Sequence, residues 1–488
     1  MKPSRYATTC AVASVTLLIL HLTACAVNPA TGKRQLVLVS ESQELQLGKD
    51  NDEAILAQFG RYEDETLQNY VQEIGQLLAA RSERPDLRWS FTVVDDPLVN
   101  AFALPGGYIY VTRGILAHFN SEAEMASVLG HEIGHVTARH SVNQMSKARL
   151  ASIALGAGAL VNRDLQALGG VAEAGLGVLF LKFGRDDERQ ADDLGLRYVI
   201  KSGYDPRPMA EVFTTLKRVS KAGGGDRPPG WMSTHPDPEN REERTNQAIR
   251  QRDRDFSRSR IRRDEYLRKI DGIVFGDNPR HGFLRGQQFV HPEMRFQVDF
   301  PHGWKVVDQR EAVVGTSPDG KTRMQLTVAV ESTPEMALRK FMTQDGVTRI
   351  RTGTEELNGL PARRGSFTIE LQDGAGEGEV TFIAYDGQVF QILGFGNQAS
   401  WETHRSSIRS STASFRQLTD SDALNVQPQR LRIVHPSTTM SLEEFARSYQ
   451  ATVSNRQLAI LNGLLRDEVF QAGTAYKVVQ GGTLPTGS

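Results

Sequence analysis

The sequence predicts an α+β protein: a mainly helical amino-terminal half with a small edge sheet, then an α+β accessory domain, then a small βααβ module at the carboxyl end. Three observations carry this. Apolar residues recur at helical spacing through 36–80 and 121–141, alternating strand-like segments crowd 289–418, and 430–480 reads strand, helix, helix, strand. At 488 residues the chain is long enough for about three domains. The 57 Lys and Arg against 58 Asp and Glu leave a formal charge of −1, which gives no global case for a nucleic-acid partner.

Taken in order, residues 1–24 hold Lys2 and Arg5, an apolar run from Ala11 to Leu20, and then Leu22-Thr23-Ala24-Cys25. This reads as a bacterial secretory signal ending in a lipobox, with Cys25 as the lipidated first residue of the mature chain. A plain signal with Cys25 as a chance residue is the bland alternative. The apolar run falls short of the about 20 residues a membrane span needs. Ala26 follows Cys25, which by resemblance to bacterial sorting rules favours the outer membrane, facing the periplasm. Cleavage removes Cys10, two positive charges and no acid, so the mature chain keeps one cysteine and a formal charge of −3. No intramolecular disulfide is then possible, and stability has to come from the core and a bound metal.

Residues 36–80 read as helices, with Ser40 a candidate cap and Leu67, Val71, Ile74, Leu77 and Leu78 an apolar stripe for the core. Trp89–Val94 and Tyr108–Val111 read as strands, and Pro105-Gly106-Gly107 turns the chain between Asn100–Leu104 and the latter. If Asn100, Ala101, Phe102 and Ala103 line a cleft, their backbone can pair with an extended substrate, which frees recognition from strict sequence preference. The alternative is an interior hairpin.

The chain is organised around Ser121–Ser141. Ser121 and Glu124 make an S-x-x-E capping box, and Met125, Val128, Leu129, Ile133 and Val136 follow helical spacing. Within this helix His131, Glu132 and His135 form H-E-x-x-H. At about 100° per residue the two histidines lie roughly 40° apart on one face, so both can ligate one ion, while Glu132 flanks that face and can reach a water held there. A second helix, Gly184–Ile200, carries Glu188 and Asp192 at i and i+4. One of these carboxylates can complete a His2Glu site while the other accepts a ring N–H from a ligand histidine. Asp186, Asp187 and Asp193 fit a solvated acidic face better. Ser233-Thr234-His235-Pro236 sits in a loop, where His235 can hydrogen-bond a developing oxyanion or occupy the open metal position at rest.

The runs His131-Glu132-Ile133-Gly134-His135, Glu188-Arg189-Gln190-Ala191-Asp192 and Thr234-His235-Pro236 with Arg241 resemble the zinc metallopeptidase family of HtpX, the CAAX prenyl endopeptidases and the BepA- and LoiP-type periplasmic lipoproteins. Asn100–Val111 resembles that family's strand beside the cleft. The likeness covers roughly residues 35–250. It implies a gluzincin fold binding one Zn2+ per chain, with His131, His135 and Glu188 as ligands, Glu132 as general base and His235 as transition-state donor. Asp192 is then the residue that orients a ligand imidazole.

The Gly/Ala-rich runs Leu150–Val161 and Leu168–Phe183 are too interrupted to span a membrane. They are either a lid or membrane-facing hairpin, which the resemblance suggests, or two buried helices. Arg241–Lys269 holds eleven Arg and Lys against six acids, which reads as a solvated helix or connector before an anionic-lipid site. Residues 289–418 carry no catalytic constellation, and His291, His302 and His404 lack ligand partners at useful spacing. The frame of 430–480 resembles a diverged LysM module, implying peptidoglycan attachment, although Thr439-Met440-Ser441-Leu442 stands in place of that module's usual opening. The expected domains are a signal over 1–24, a peptidase over 25–250, a basic connector over 251–288, the accessory domain over 289–418 and the LysM-like module over 430–480.

Together these imply a zinc metalloendopeptidase in cell-envelope quality control, tethered by lipid at Cys25, cleaving misfolded or stalled envelope proteins. Two other readings stay open: a chaperone-like adaptor whose zinc site is gated by His235, and a peptidoglycan-associated structural lipoprotein.

Overall fold

The computed structural model describes residues 25–32, 34–154, 183–222, 230–235, 240–309, 312–371, 374–465 and 468–482. The expected signal over 1–24 and most of the Gly/Ala-rich stretch, with its lid or hairpin reading, lie outside the described residues. No described helix is long and apolar enough to cross a membrane. The chain divides into two compact units, 1–276 with 430–480 and 277–429 with 481–488.

The first unit opens with a two-stranded antiparallel pair, β1 (Cys25–Val27) and β2 (Arg34–Leu36), in which Cys25 faces Leu36. Helix α1 (Glu41–Phe59) starts at Ser40, whose hydroxyl accepts from the Gln43 N–H while the Gln43 side chain returns to the Ser40 N–H. In α2 (Glu65–Ala79) Leu67, Val71, Ile74 and Leu78 enter the core on one stripe, while Leu77 is only partly buried against it. Strands β3 (Ser90–Val94), β4 (Ala101–Leu104) and β5 (Tyr108–Thr112) form a sheet ordered β3-β5-β4, parallel between β3 and β5 and antiparallel between β4 and β5. Among the described residues β4 therefore pairs on one side only. Thr112 N–H donates to Asn100 O, and antiparallel alternation then turns the backbone groups of Ala101 and Ala103 toward the open edge.

After the short helix α3 (Arg113–His118) comes α4 (Glu122–Thr137), every residue of which is buried. Ser121 caps it by accepting from Glu124 N–H, but the Glu124 carboxylate accepts from Asn120 N–H instead of Ser121, so the reciprocal box is displaced by one residue. A reversal at Arg139, in the left-handed region at φ 57°, leads into α5 (His140–Ala154). The Arg139 guanidinium is held by buried Glu44, which also accepts from Arg84.

Helix α6 (Arg185–Lys201) packs across α4 at very short range. A Cβ on Gly195 would stand 2.8 Å from the His131 nitrogen and one on Gly134 3.0 Å from Ala191 O, so only glycine permits this approach. Helices α7 (Pro208–Ala222), α8 (Gly230–Thr234), α9 (Arg241–Arg250) and α10 (Arg263–Ile270) complete this half. Within the basic stretch Tyr266, Leu267 and Ile270 are fully buried in the core, so α10 is an amphipathic helix with one face in the interior.

The second unit contains β6 (Phe283–Arg285), β7 (Gln288–His291) and β8 (Phe296–Asp299), which with β16 (Arg416–Gln417) make a four-stranded sheet. Seven antiparallel strands form the larger sheet: β9 (Lys305–Gln309), β10 (Ala312–Thr316), β11 (Thr322–Ala329), β12 (Val347–Leu357), β13 (Leu360–Leu371), β14 (Gly374–Tyr385) and β15 (Gln388–Asn397), ordered β12-β13-β14-β15-β11-β10-β9. Helices α11 (Pro334–Phe341) and α12 (Gln398–Ala413) bury Leu338 and Trp401 against it, and α13 (Ser421–Leu424) follows.

Residues 430–480 return to the first unit as β17 (Gln429–Val434), α14 (Leu442–Ser448), α15 (Asn455–Leu461) and β18 (Tyr476–Gly481), with β17 and β18 paired. Its own small core stacks Phe445 on Phe470. Lys477 is fully buried, and its ammonium donates to Ala117 O and Phe119 O just ahead of α4. A buried ammonium needs such acceptors, and these two tie the module to the end of α3 and the loop that leads into α4.

Candidate metal centre

Helix α4 presents His131 and His135 on one face, α6 crosses it with Glu188 and Asp192, and His235 follows the end of α8. Trp231 N–H donates to Val99 O, which pins α8 beside the start of β4, and His235 N–H donates to Trp231 O. One ligand atom from each of His131, His135, Glu188 and His235 lies within 4.8 Å of all the others, and all four residues are buried. The two Nε2 atoms of His131 and His135 are 3.0 Å apart. Glu188 Oε2 is 3.5 Å from His131 Nε2, and Glu188 Oε1 is 3.4 Å from His135 Nε2. His235 turns Nδ1 inward, 3.0 Å from Glu188 Oε1 and 3.3 Å from His131 Nε2, and its Nε2 lies 3.5 Å from Glu132 Oε1.

The donor set fits a divalent cation. Asp192 Oδ1, 3.0 Å from His131 Nδ1, accepts that ring proton and leaves Nε2 bare. Bare nitrogens converging with a carboxylate on one point repel unless a positive charge stands among them. Two imidazoles and a carboxylate with a fourth donor suit a tetrahedral ion of the zinc type.

Electrostatics follow from burial. It pushes His131 down to about 3 against the pull of Asp192, and pushes Glu132 up to about 8. Burial alone would raise Glu188, but the His235, His135 and His131 rings around it hold it well below the usual carboxylate range. Asp192 is likewise resisted by burial and yet held at about 2, because Arg241 and His131 face it.

Several neighbours escaped the sequence reading. Arg241 places Nη1 3.0 Å from Glu188 Oε2 and Nη2 2.5 Å from Asp192 Oδ1, and its guanidinium lies 4.3 Å over Phe213 and 4.7 Å over Trp231. His140, the first residue of α5, contacts His135 directly, its Nδ1 2.9 Å from His135 Nδ1. The Phe183 ring centroid sits 4.0 Å from that of His135. Of the expected site residues, Asn100–Ala103 lie on and before β4, the strand beside α8, and Cys25 stands in β1, paired with Leu36 of β2.

A buried His2Glu cluster built from H-E-x-x-H on one helix and a carboxylate on a crossing helix is the donor arrangement known from zinc metallopeptidases. Residues 65–249 match the family model described as Peptidase family M48. It is similar to the mitochondrial metalloendopeptidase OMA1 of Arabidopsis thaliana, 37% identical over 177 residues, covering 36% of this chain and 34% of that protein. The OMA1 of Schizosaccharomyces pombe is 31% identical over 214 residues, covering 43% and 61%. The beta-barrel assembly-enhancing protease of Escherichia coli (strain K12) is 28% identical over 212 residues, covering 42% and 43%. The chain thus spans less than two thirds of each of these relatives.

Proposed function

We propose that this protein is a zinc-dependent endopeptidase of the bacterial cell envelope, binding one zinc through His131, His135 and Glu188 and hydrolysing unfolded, misfolded or stalled envelope proteins. The convergence of four buried donor atoms within 4.8 Å carries the reading. Zinc, when bound, supplies Lewis acidity that polarises a carbonyl and acidifies water. Glu132, buried at the ligands' flank, takes the proton of the attacking water and passes it to the leaving amine. His235 donates to the developing oxyanion, a contact whose loss typically costs about 10² to 10³ in rate. Asp192 holds His131, and within Asn100–Ala103 the backbone groups of Ala101 and Ala103, on the open edge of β4, pair with an extended substrate backbone.

The envelope setting is supported by the lipobox at Cys25 and by the likeness to a beta-barrel assembly-enhancing protease. A lipid on Cys25 would tether the protein to the outer membrane from the periplasmic side, and the β17-α14-α15-β18 module would add peptidoglycan contact; pull-down by isolated peptidoglycan, lost on deleting 430–488, tests the latter. One observation favours a gated form of the same site: His235 Nδ1 stands among the ligand atoms rather than facing a cleft. In that form His235 is a fourth ligand, hydrolysis waits for a client to displace it, and the protein works as an adaptor meanwhile.

The test is zinc content together with casein cleavage in wild type and Glu132→Gln. One zinc in each, with cleavage only in wild type, is the expected outcome. Cleavage by Glu132→Gln at the wild-type rate would refute the base assignment. One zinc and no cleavage in either selects the gated form, in which His235→Ala gains activity.

A further inference from the structure

The two ligand histidines are backed by different chemistry. His131 Nδ1 faces a carboxylate, Asp192. His135 Nδ1 faces another imidazole: His140 Nδ1 is 2.9 Å away, with the two rings edge to face at 76°. Two ring nitrogens at that separation share one proton, so one donates and the other accepts. On its far side His140 Nε2 lies 2.9 Å from Gln190 Oε1, with Asp187 Oδ1 at 3.8 Å. Both groups are acceptors as they face the ring, so the His140 proton belongs on Nε2. His140 Nδ1 is then the acceptor, His135 Nδ1 carries the shared proton, and His135 Nε2 is the bare nitrogen. That nitrogen is the one pointing at Glu188 and His131.

We propose that His140 is a positioning residue for the metal site, accepting the Nδ1–H of His135 so that the His135 Nε2 lone pair is presented to the ion, with Gln190 fixing the tautomer of His140 in turn. The inference rests on the metal-site reading above. It gives the centre two unlike supports. Asp192 backs one ligand with a negative charge, while His140 backs the other with a neutral ring. The chain runs His135, His140, Gln190, and Gln190 lies on α6, the helix that also supplies Glu188 and Asp192. The left-handed turn at Arg139 sets His140 back against the helix it has just left.

The experiment uses the full chain, stripped of metal by a chelator, with zinc titrated against a chromophoric competitor and Co2+ added separately for its visible spectrum. His140→Phe keeps a ring and removes the acceptor; zinc binding is expected to weaken about 10- to 100-fold, as for other outer-shell partners, and the cobalt spectrum to shift. His140→Asn puts an amide oxygen near the lost Nδ1, and both readouts are expected to move back toward wild type, which a purely space-filling role would not produce. His140→Phe that binds zinc as wild type does, with an unchanged cobalt spectrum, overturns the proposal, as does His140→Asn no better than Phe. Should His140→Phe fail to fold, Gln190→Met combined with Asp187→Leu carries the test. The pair removes both acceptors that face His140 Nε2 and frees its proton to move to Nδ1, so zinc must bind more weakly, and unchanged binding overturns the proposal. Wild type taking up no zinc at all defeats the metal-site reading instead, which keeps the two failures apart.

Discussion

Arg241→Met isolates what the buried guanidinium does. In the wild type it reaches Glu188 Oε2 at 3.0 Å and both oxygens of Asp192 at 3.0 and 2.5 Å, with its side chain 2% exposed. Methionine keeps the apolar stacking volume between Phe213 and Trp231 but removes the guanidinium that, among the described residues, pairs with both carboxylates at once. Breaking a buried ion pair from one side typically costs about 3 to 5 kcal/mol, because the partner is left charged and dry. Here there are two partners. Asp192 retains His131 and, at 3.1 Å, Arg244 Nη2, so Glu188 bears the larger share. A cation bound at Glu188 would restore its missing positive neighbour and leave Asp192 as it was. The expectation is a loss of about 3 to 5 kcal/mol in chelator and clearly less with zinc in excess. Guanidinium unfolding in chelator and in zinc measures it, read from the transition that zinc shifts, since the two compact units can unfold separately. An equal loss in both conditions would show that Arg241 supports the fold without acting on Glu188. A loss under about 1 kcal/mol would refute the buried-pair argument outright.

Gly195→Ala places a methyl 2.8 Å from the His131 nitrogen, so α6 must move off α4; a stability loss of about 1 to 3 kcal/mol and weaker zinc binding are expected, measured by unfolding and by competition titration. Lys477→Met removes the donor to Ala117 O and Phe119 O and costs about 1 to 3 kcal/mol in orphaned carbonyls. Burial lowers the folded Lys477 amine to about 7, against the pull of Glu124, from an ordinary 10.5. Between those values the unfolded chain holds a proton that the folded one does not, so this stability term is complete above about 10.5 and lost as pH falls to about 7. The advantage of wild type over Lys477→Met should therefore grow from pH 7 to pH 9, by at most about 1.4 kcal/mol per unit; a flat difference would sink the argument. Ala103→Pro at the open edge of β4 deletes a backbone donor that the sheet does not use, and should raise KM for casein with zinc content unchanged; an unaltered KM would remove β4 from substrate binding.

Much of the candidate site was legible because its units are local. A helix period places His131 near His135 and Glu188 near Asp192 without knowledge of any other part of the chain, and a single capping serine shows where the first helix begins. His140 was not legible: its separation of five from His135 fits no helix face, and only the left-handed turn at Arg139 brings the two rings together. Arg241 stood in a stretch of mixed charges that reads as solvated, and its burial depends on two carboxylates from another helix. Lys477 lies within a short strand, and nothing near it in sequence announces the carbonyls of Ala117 and Phe119.

By itself, then, the sequence determined the elements, the chemistry of each half-site and the class of reaction they suit, since periodicity, capping and ligand spacing are written within one turn or one strand. Only the tertiary structure decided that α4 and α6 meet through Gly134 and Gly195, that His235 turns Nδ1 toward the ligands, and that residues 430–480 fold back against α3 and α7. Those outcomes depend on which buried surfaces and buried charges complement one another across hundreds of residues, and no local pattern encodes that.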